Sequence, residues 1–173
     1  MVKYSSNQIL IIADHASNYL PKENYKLGLT SAFLNQHIAF DIGVKELSLD
    51  LSNRLKCKVI QGKYSRLLID LNRDLNDPTV IPEIVDGKII PGNIGLSKSE
   101  LRLRVKKIYN KYHHEINRTI KNKKIKVILS LHSFNPIFKN KRRLIEFGIL
   151  SNEDKNLSSI IINQLKLQKL NVG

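Results

Sequence analysis

Two histidines each stand just behind an apolar run of the sequence. His15 comes two positions after QILIIA, residues 8–13, and His132 comes directly after IKVILSL, residues 125–131. Short runs of this kind, rich in β-branched residues, predict strands that are buried on both faces of a mostly parallel sheet. Because ligands bind beyond the carboxyl ends of parallel strands, the two imidazoles are candidates for one shared metal ion. The alternative for either histidine alone is a structural residue held by hydrogen bonds.

A carboxylate can complete such a site. A catalytic zinc centre uses three protein ligands and keeps its fourth position for water. Asp41, in the stretch HIAFDIG, stands where a helix over residues 42–56 is predicted to begin. Asp is also a favoured helix N-cap, and from spacing alone the cap is the better interpretation.

Charged and polar side chains crowd around a short apolar core in YSRLLIDLNRD, residues 64–74. The planar guanidinium of arginine matches a carboxylate, so Arg66 and Arg73 are candidates for binding an acidic substrate. The alternative is that these arginines pair with nearby aspartates, such as Asp70 and Asp74, and only fix the loop.

The elements that must position these residues alternate between strands and helices. Apolar spacings of three and four predict the helix over 42–56, a second one that begins at the capping box of Ser97 and Glu100, and a last one over 153–167. Weaker strand candidates are 58–61 and 144–150. Residues 72–93, with three prolines and two turn signals, predict a long ordered loop containing one hairpin. The pattern indicates an α/β fold: a single domain over residues 1–173, with a mostly parallel or mixed central sheet flanked by helices.

Bulk composition narrows the class of protein. A single cysteine excludes a disulfide framework, and no apolar stretch reaches the length of a membrane helix, so we expect a cytoplasmic protein without a membrane partner. The net charge of +14 admits a nucleic-acid partner, but a lysine-rich composition explains it equally simply. We favour composition over nucleic acid.

Five blocks of the sequence, in this order, resemble the N-formylglutamate amidohydrolase family. They are DHASNYLP, HIAFDIGVKELSLDLSNRL, YSRLLIDLNRDLNDPTVIP, KYHHEI and LSLHSFNP. The resemblance extends from about Ile9 to Leu150, and five ordered blocks make chance a poor explanation.

This resemblance implies a zinc-dependent hydrolase with a phosphorylase/hydrolase-like α/β fold. Its reaction would be cleavage of the amide of a small acidic N-acyl amino acid, first of all N-formylglutamate, into formate and the free amino acid. By motif, the ligands of one Zn²⁺ per chain would be His15, Asp41 and His132. The substrate-binding residues would be Arg66, Asn72, Arg73 and His113. A structural role is the alternative for His113, because its helix also faces the core.

Such a hydrolase needs a carboxylate that carries a proton from water to the leaving amine. The family is expected to supply this acid after its last helix, and we expect a chain that ends at LQKLNVG to lack that C-terminal segment. Glu146, on the predicted strand LIEFGIL, is therefore the candidate catalytic residue. Two other functions stay open: a shortened member of the family that binds metal or an acidic ligand with little turnover, and a basic nucleic-acid-binding domain.

Overall fold

The computed structural model describes residues 4–22, 27–138, 141–151 and 155–173. Internal contacts divide the chain into two compact units, Met1–Phe134 and Asn135–Gly173. In chain order, the first unit contains β1 (Ile9–Ala13), α1 (Ser31–Leu34), α2 (Val44–Leu55), β2 (Lys58–Gln61), β3 (Ile84–Val85), β4 (Lys88–Ile89), α3 (Lys98–Arg104), α4 (Asn110–Lys123) and β5 (Val127–Ser130). The second contains β6 (Ile137–Phe138), β7 (Lys141–Arg142) and α5 (Lys155–Leu167). One domain over residues 1–173 stays a prediction.

The central sheet of the first unit is parallel. Its strand order is β2-β1-β5, with Leu10 opposite Lys58 on one side and Ile9 opposite Val127 on the other. The predicted α/β class, with a parallel sheet flanked by helices, is confirmed. Because all three strands run in one direction, the chain leaves β1 and β5 at the same edge of the sheet.

Helices cover both faces of β1. Leu10 packs with Tyr112 and Ile116 of α4, whereas Ala13 packs with Val44 at the start of α2. A strand places successive side chains on opposite faces, so a strand covered on both sides reads as an uninterrupted apolar run. The burial of β1 on two faces thus explains the pattern ILIIA.

The long loop between β2 and α3 is ordered by buried polar groups. The guanidinium of Arg104 donates hydrogen bonds to the carbonyls of Leu68 (3.0 Å) and Gly92 (3.1 Å) and to Oδ1 of Asn93 (2.7 Å). The amide of Asn93 donates in turn to the carbonyls of Leu67 (2.8 Å) and Pro82 (2.7 Å). The expected hairpin is the antiparallel pair β3 and β4. Both predictions for the loop are confirmed.

The long helical segment begins as predicted and then departs from regular α geometry. Ser97 and Glu100 form the capping box of α3, and a π-helical segment, Val105–Tyr109, joins α3 to α4. The apolar spacing that predicted this helix implies that its apolar side chains face inward, but Leu101 is 36% exposed and Arg104 is buried. The reason is that the long loop offers polar acceptors to the guanidinium of Arg104.

The second unit consists of the β6–β7 hairpin and α5, together with a single parallel bridge between Phe147 and Val172. The predicted strand over 144–150 is wrong, because the backbone there forms a single bridge, with hydrogen bonds to the backbone of Asn171 and Gly173, and no strand. The predicted last helix is confirmed from Lys155 on, and residues 153 and 154 lie outside the described residues. Among the residues that the structure describes, no helix is long and apolar enough to cross a membrane.

Candidate metal centre

Three predicted ligands meet at the carboxyl edge of the sheet. His15 follows β1, His132 follows β5, and Asp41 precedes α2. The N-cap interpretation of Asp41 is wrong, because the N-cap is Gly43, whose φ of 80° lies in the left-handed region that glycine tolerates. The carboxylate of Asp41 is therefore available to the two imidazoles.

The geometry of these three side chains suits a small cation. Oδ2 of Asp41 lies 3.6 Å from Nδ1 of His15 and 2.9 Å from Nδ1 of His132. One ligand atom from each residue lies within 4.8 Å of the other two. His15 and Asp41 are buried, whereas the His132 side chain is 35% exposed, so the group is reached from one side. Two imidazole nitrogens and one carboxylate oxygen form a donor set that divalent metals accept.

An unpartnered nitrogen supports this fit. Nε2 of His15 lies 2.7 Å from Oδ1 of Asp70, whereas Nδ1 is buried and has no hydrogen-bond partner among the described residues. A buried polar atom without a partner is costly and needs an explanation. When Nε2–H donates to Asp70, Nδ1 carries a lone pair that points toward Asp41, which is the arrangement of a histidine ligand.

The other ligand candidates are also held from behind. Arg66 donates a hydrogen bond to Oδ1 of Asp41, the oxygen turned away from the histidines. Nε2 of His132 lies 3.4 Å from Oδ2 of Asp14 and 3.2 Å from Oγ of Ser130. Each candidate ligand is therefore oriented by a contact on its far side.

Two aspartates near the centre stay ionised in spite of burial. Burial by itself raises the pKa of Asp70, but its hydrogen bonds with His15 and the Asn72 N–H, together with the nearby Arg66, outweigh burial, so the pKa lies below its usual value. For Asp14, burial likewise raises the pKa, but the hydrogen bonds with His132 and Tyr112, together with the two nearby imidazoles, bring it below its usual value. The surroundings of the imidazoles are thus anionic, which favours a bound cation.

The predicted substrate-binding residues have contacts within the protein. Arg66 pairs with Asp41, and Arg73, about half exposed, lies 3.7 Å from the carboxylate of Asp77. Asn72 is exposed. Nε2–H of His113 donates a hydrogen bond to the carbonyl of Leu71 at 3.0 Å, and the ring centroid of His113 lies 4.2 Å from that of Tyr109. Both arginines therefore pair with an aspartate, as the alternative interpretation predicted. Their ion-pair partners are Asp41 and Asp77, and not Asp70 or Asp74.

Glu146 belongs to the second unit. The sequence predicted that it lies on a strand, and this prediction is wrong. Its carboxylate accepts a hydrogen bond from the backbone N–H of Asn171 at 2.9 Å. A backbone donor of this kind fixes the carboxylate while leaving its second oxygen for other partners.

Sequence reasoning missed three residues behind the ligands: Asp14, Asp70 as a partner of His15, and Tyr112. From the sequence, Asp70 was expected only as a partner of the arginines. The available signal was a charged residue, Asp14, at the end of a buried strand. Its partner Tyr112 stands 98 positions away, so only the fold joins them.

A cavity of about 410 Å³ opens along β2 and the loop after β1, with Ser17, Lys45 and Lys63 among its lining residues. None of the three candidate ligands lines it. The candidate metal centre is therefore separate from this cavity.

Comparison with known proteins found a matching family model and a similar solved structure. The family model for N-formylglutamate amidohydrolase matches residues 7–173. A crystal structure of a gene product from Agrobacterium tumefaciens is similar to this chain, with a TM-score of 0.90 and 28% sequence identity. The similarity covers 97% of this chain and 68% of that one. No curated protein sequence matches the chain. With a family model that spans nearly its whole length, the chain belongs to the N-formylglutamate amidohydrolase family.

Proposed function

We propose that this protein is a Zn²⁺-dependent amidohydrolase that cleaves the amide of an N-formyl amino acid, with N-formylglutamate as the first substrate to test. Its products would be formate and the free amino acid. The observation that carries the proposal is that His15, Asp41 and His132 lie together, with the buried Nδ1 of His15 unpartnered among the residues that the structure describes. Membership of the family supplies the reaction class.

The chain's own residues have distinct parts in this proposal. His15, Asp41 and His132 would hold one metal ion, and Arg66 would fix the carboxylate of Asp41. A bound divalent ion supplies Lewis acidity toward the amide carbonyl and makes water a better nucleophile near neutral pH. With the ligands fixed before substrate arrives, little reorganisation is needed during the reaction.

Substrate binding is assigned to the exposed polar residues of the loop after Asp70. Arg73 and Asn72 are exposed and would contact the carboxylates of the amino acid, and Arg66 is part-buried beside the centre. An arginine can donate two parallel hydrogen bonds to one carboxylate. Such a pair would fix the position and orientation of the substrate amide relative to the candidate metal ligands. His113, bonded to the Leu71 carbonyl, would support the same loop.

Glu146 is proposed as the carboxylate that moves the proton. It would accept a proton from the attacking water and return it to the nitrogen of the leaving amine, so that the C–N bond breaks as an amine forms. One carboxylate oxygen of Glu146 accepts the hydrogen bond from the Asn171 N–H, and the other oxygen would take the proton.

Two measurements on the same preparation test the function. The first is zinc per chain by elemental analysis for the wild type, His15→Ala and His132→Ala; about one zinc in the wild type and none in the variants is expected. The second is formate release from N-formylglutamate. For the proton carrier, Glu146→Gln should lose turnover and keep zinc, whereas Glu46→Gln, an exposed glutamate on α2, should keep both. Zinc without formate release would contradict the hydrolase and leave a metal-binding protein; no zinc would contradict the centre itself.

A further inference from the structure

Asp14 stands directly before the candidate ligand His15, yet its carboxylate turns to the other histidine. Oδ2 of Asp14 lies 3.4 Å from Nε2 of His132, and Oδ1 accepts a hydrogen bond from the hydroxyl of Tyr112 at 2.6 Å. Asp14 is 5% exposed and Tyr112 is 7% exposed. A buried chain therefore runs from the phenol through the carboxylate to the imidazole of His132.

The opposite histidine has an equivalent support. Nε2 of His15 lies 2.7 Å from Oδ1 of Asp70, and the same oxygen accepts the backbone N–H of Asn72 at 2.9 Å. In both imidazoles the nitrogen near a supporting carboxylate is Nε2, and the nitrogen nearest Asp41 is Nδ1. The two rings are thus arranged in the same sense.

We propose that Asp14, itself held by Tyr112, and Asp70 are positioning residues that fix Nδ1 of His132 and Nδ1 of His15 as the metal-binding atoms. This inference rests on the metal centre of the proposed function. An imidazole that donates Nε2–H to a carboxylate presents a bare lone pair at Nδ1. Ser130, 3.2 Å from Nε2 of His132, is a weaker neutral partner at the same nitrogen.

Tyr112 is suited to hold Asp14 because its own position is fixed. It lies on α4 and packs against Leu10 and Ile60 of the sheet. Tyrosine reaches a polar partner through a rigid ring with few rotatable bonds, so its hydroxyl locates the carboxylate with little freedom. The carboxylate then has one oxygen committed to Tyr112 and one free for His132.

The test measures metal binding without reference to turnover. The dissociation constants of Zn²⁺ and Co²⁺ are determined by competition with a chromophoric chelator for the wild type, Asp14→Asn, Asp70→Asn and Tyr112→Phe. Loss of a carboxylate behind a ligand typically weakens metal affinity by about 10- to 100-fold, and we expect that range for both aspartate variants. Tyr112→Phe should weaken it less, by several-fold. The visible spectrum of bound Co²⁺ should change in all three variants, because it reports the geometry of the ligands.

Tyr109→Phe is the matched control. Tyr109 lies three positions before Tyr112, and its hydroxyl donates to the carbonyl of Arg73 at 2.8 Å rather than to Asp14 or Asp70. Its removal takes one phenolic hydrogen bond from the same helical segment and should leave the metal dissociation constant and the Co²⁺ spectrum unchanged. Thermal unfolding of all metal-free proteins separates general destabilisation from loss of ligand orientation.

Each outcome decides between the claims. If the wild type binds metal and the three variants bind it within twofold of the wild type with the same Co²⁺ spectrum, the positioning roles are refuted while the centre stands. A lowered metal-free unfolding temperature with unchanged affinity likewise refutes them. If the wild type binds neither ion, the centre and this inference fall together. Should Asp14→Asn not fold, Tyr112→Phe, which lacks a single oxygen atom, carries the test.

Discussion

Arg104 is predicted to be the residue whose loss most weakens the loop behind the metal centre. Its buried guanidinium donates hydrogen bonds to the carbonyls of Leu68 and Gly92 and to Asn93. Burial lowers the pKa of Arg104, but an arginine side chain stays protonated in proteins. Leu68 stands two positions from both Arg66 and Asp70, which contact candidate ligands. The change Arg104→Met keeps the apolar stem and removes every donor.

The magnitude follows from the three acceptors that would lose their partner. A buried acceptor left unsatisfied costs about 1–3 kcal/mol, and relief from burying a charge offsets part of this, so we take the lower value for each. The sum is about 3 kcal/mol. For a chain of this length, each kcal/mol shifts the unfolding temperature by about 2–4 °C, which predicts a decrease of about 6–12 °C.

The assay is thermal unfolding followed by circular dichroism, with Arg102→Met as the control. Arg102 lies on the same helix and is exposed, so its replacement should shift the midpoint by about 1–2 °C at most. Equal midpoints for the two variants would refute the reasoning, because they would show that the three hydrogen bonds contribute no more than an exposed side chain.

Three further predictions concern the backbone, a helix cap and the metal. Gly62→Ala should strongly destabilise the protein, since a Cβ at this position would lie 1.9 Å from the carbonyl oxygen of Asp14, whereas Gly148→Ala meets nothing within 4 Å; urea unfolding of both compares them, and equal midpoints would contradict the packing. Hydrogen bonds from Ser97 lower the pKa of Glu100 in the folded protein. The capping box formed by these two residues therefore stabilises the fold fully above the pKa of Glu in the unfolded chain, about 4.3, and this stabilisation is lost as the pH falls through the lower pKa of the folded state. The difference in urea midpoint between wild type and Ser97→Ala should therefore narrow from pH 7 to pH 3, and a constant difference would refute the link. Zinc at 100 times its dissociation constant should raise the free energy of unfolding by about 2.7 kcal/mol, reversibly with a chelator, and no shift in the unfolding midpoint would contradict the centre.

The sequence predicted the parallel sheet because its buried strands carry a signal that solvent-facing strands lack. The runs before His15 and His132 are apolar at almost every position, and the structure covers β1 with helices on both faces. The prediction of burial on both faces is wrong for β5, where Ile128 is 44% exposed. The run over 144–150 is apolar as well, but its backbone forms one bridge with Phe147 and no strand. A short apolar run does not specify which segment it pairs with, and whether it becomes a strand depends on that segment.

The site was predictable as far as local position and family motif determine it. The ends of β1 and β5 place the two histidines at one edge, and the resemblance supplied Asp41 where spacing favoured a cap. Spacing failed there because the cap was taken by Gly43, two positions later. The supports behind the ligands were not predictable, since Asp14–Tyr112 and His15–Asp70 join positions 98 and 55 apart.

These separations also bear on how the protein reaches its native state. The contact between Asp41 and His132 closes 91 positions, and each contact at the centre requires the sheet order β2-β1-β5 to be in place. Contacts this distant in sequence must overcome the loss of chain entropy before they stabilise anything, which makes their formation slow and late. The candidate metal centre is thus formed by folding and is not its nucleus. A metal ion bound there would stabilise the folded state by slowing unfolding, without speeding folding.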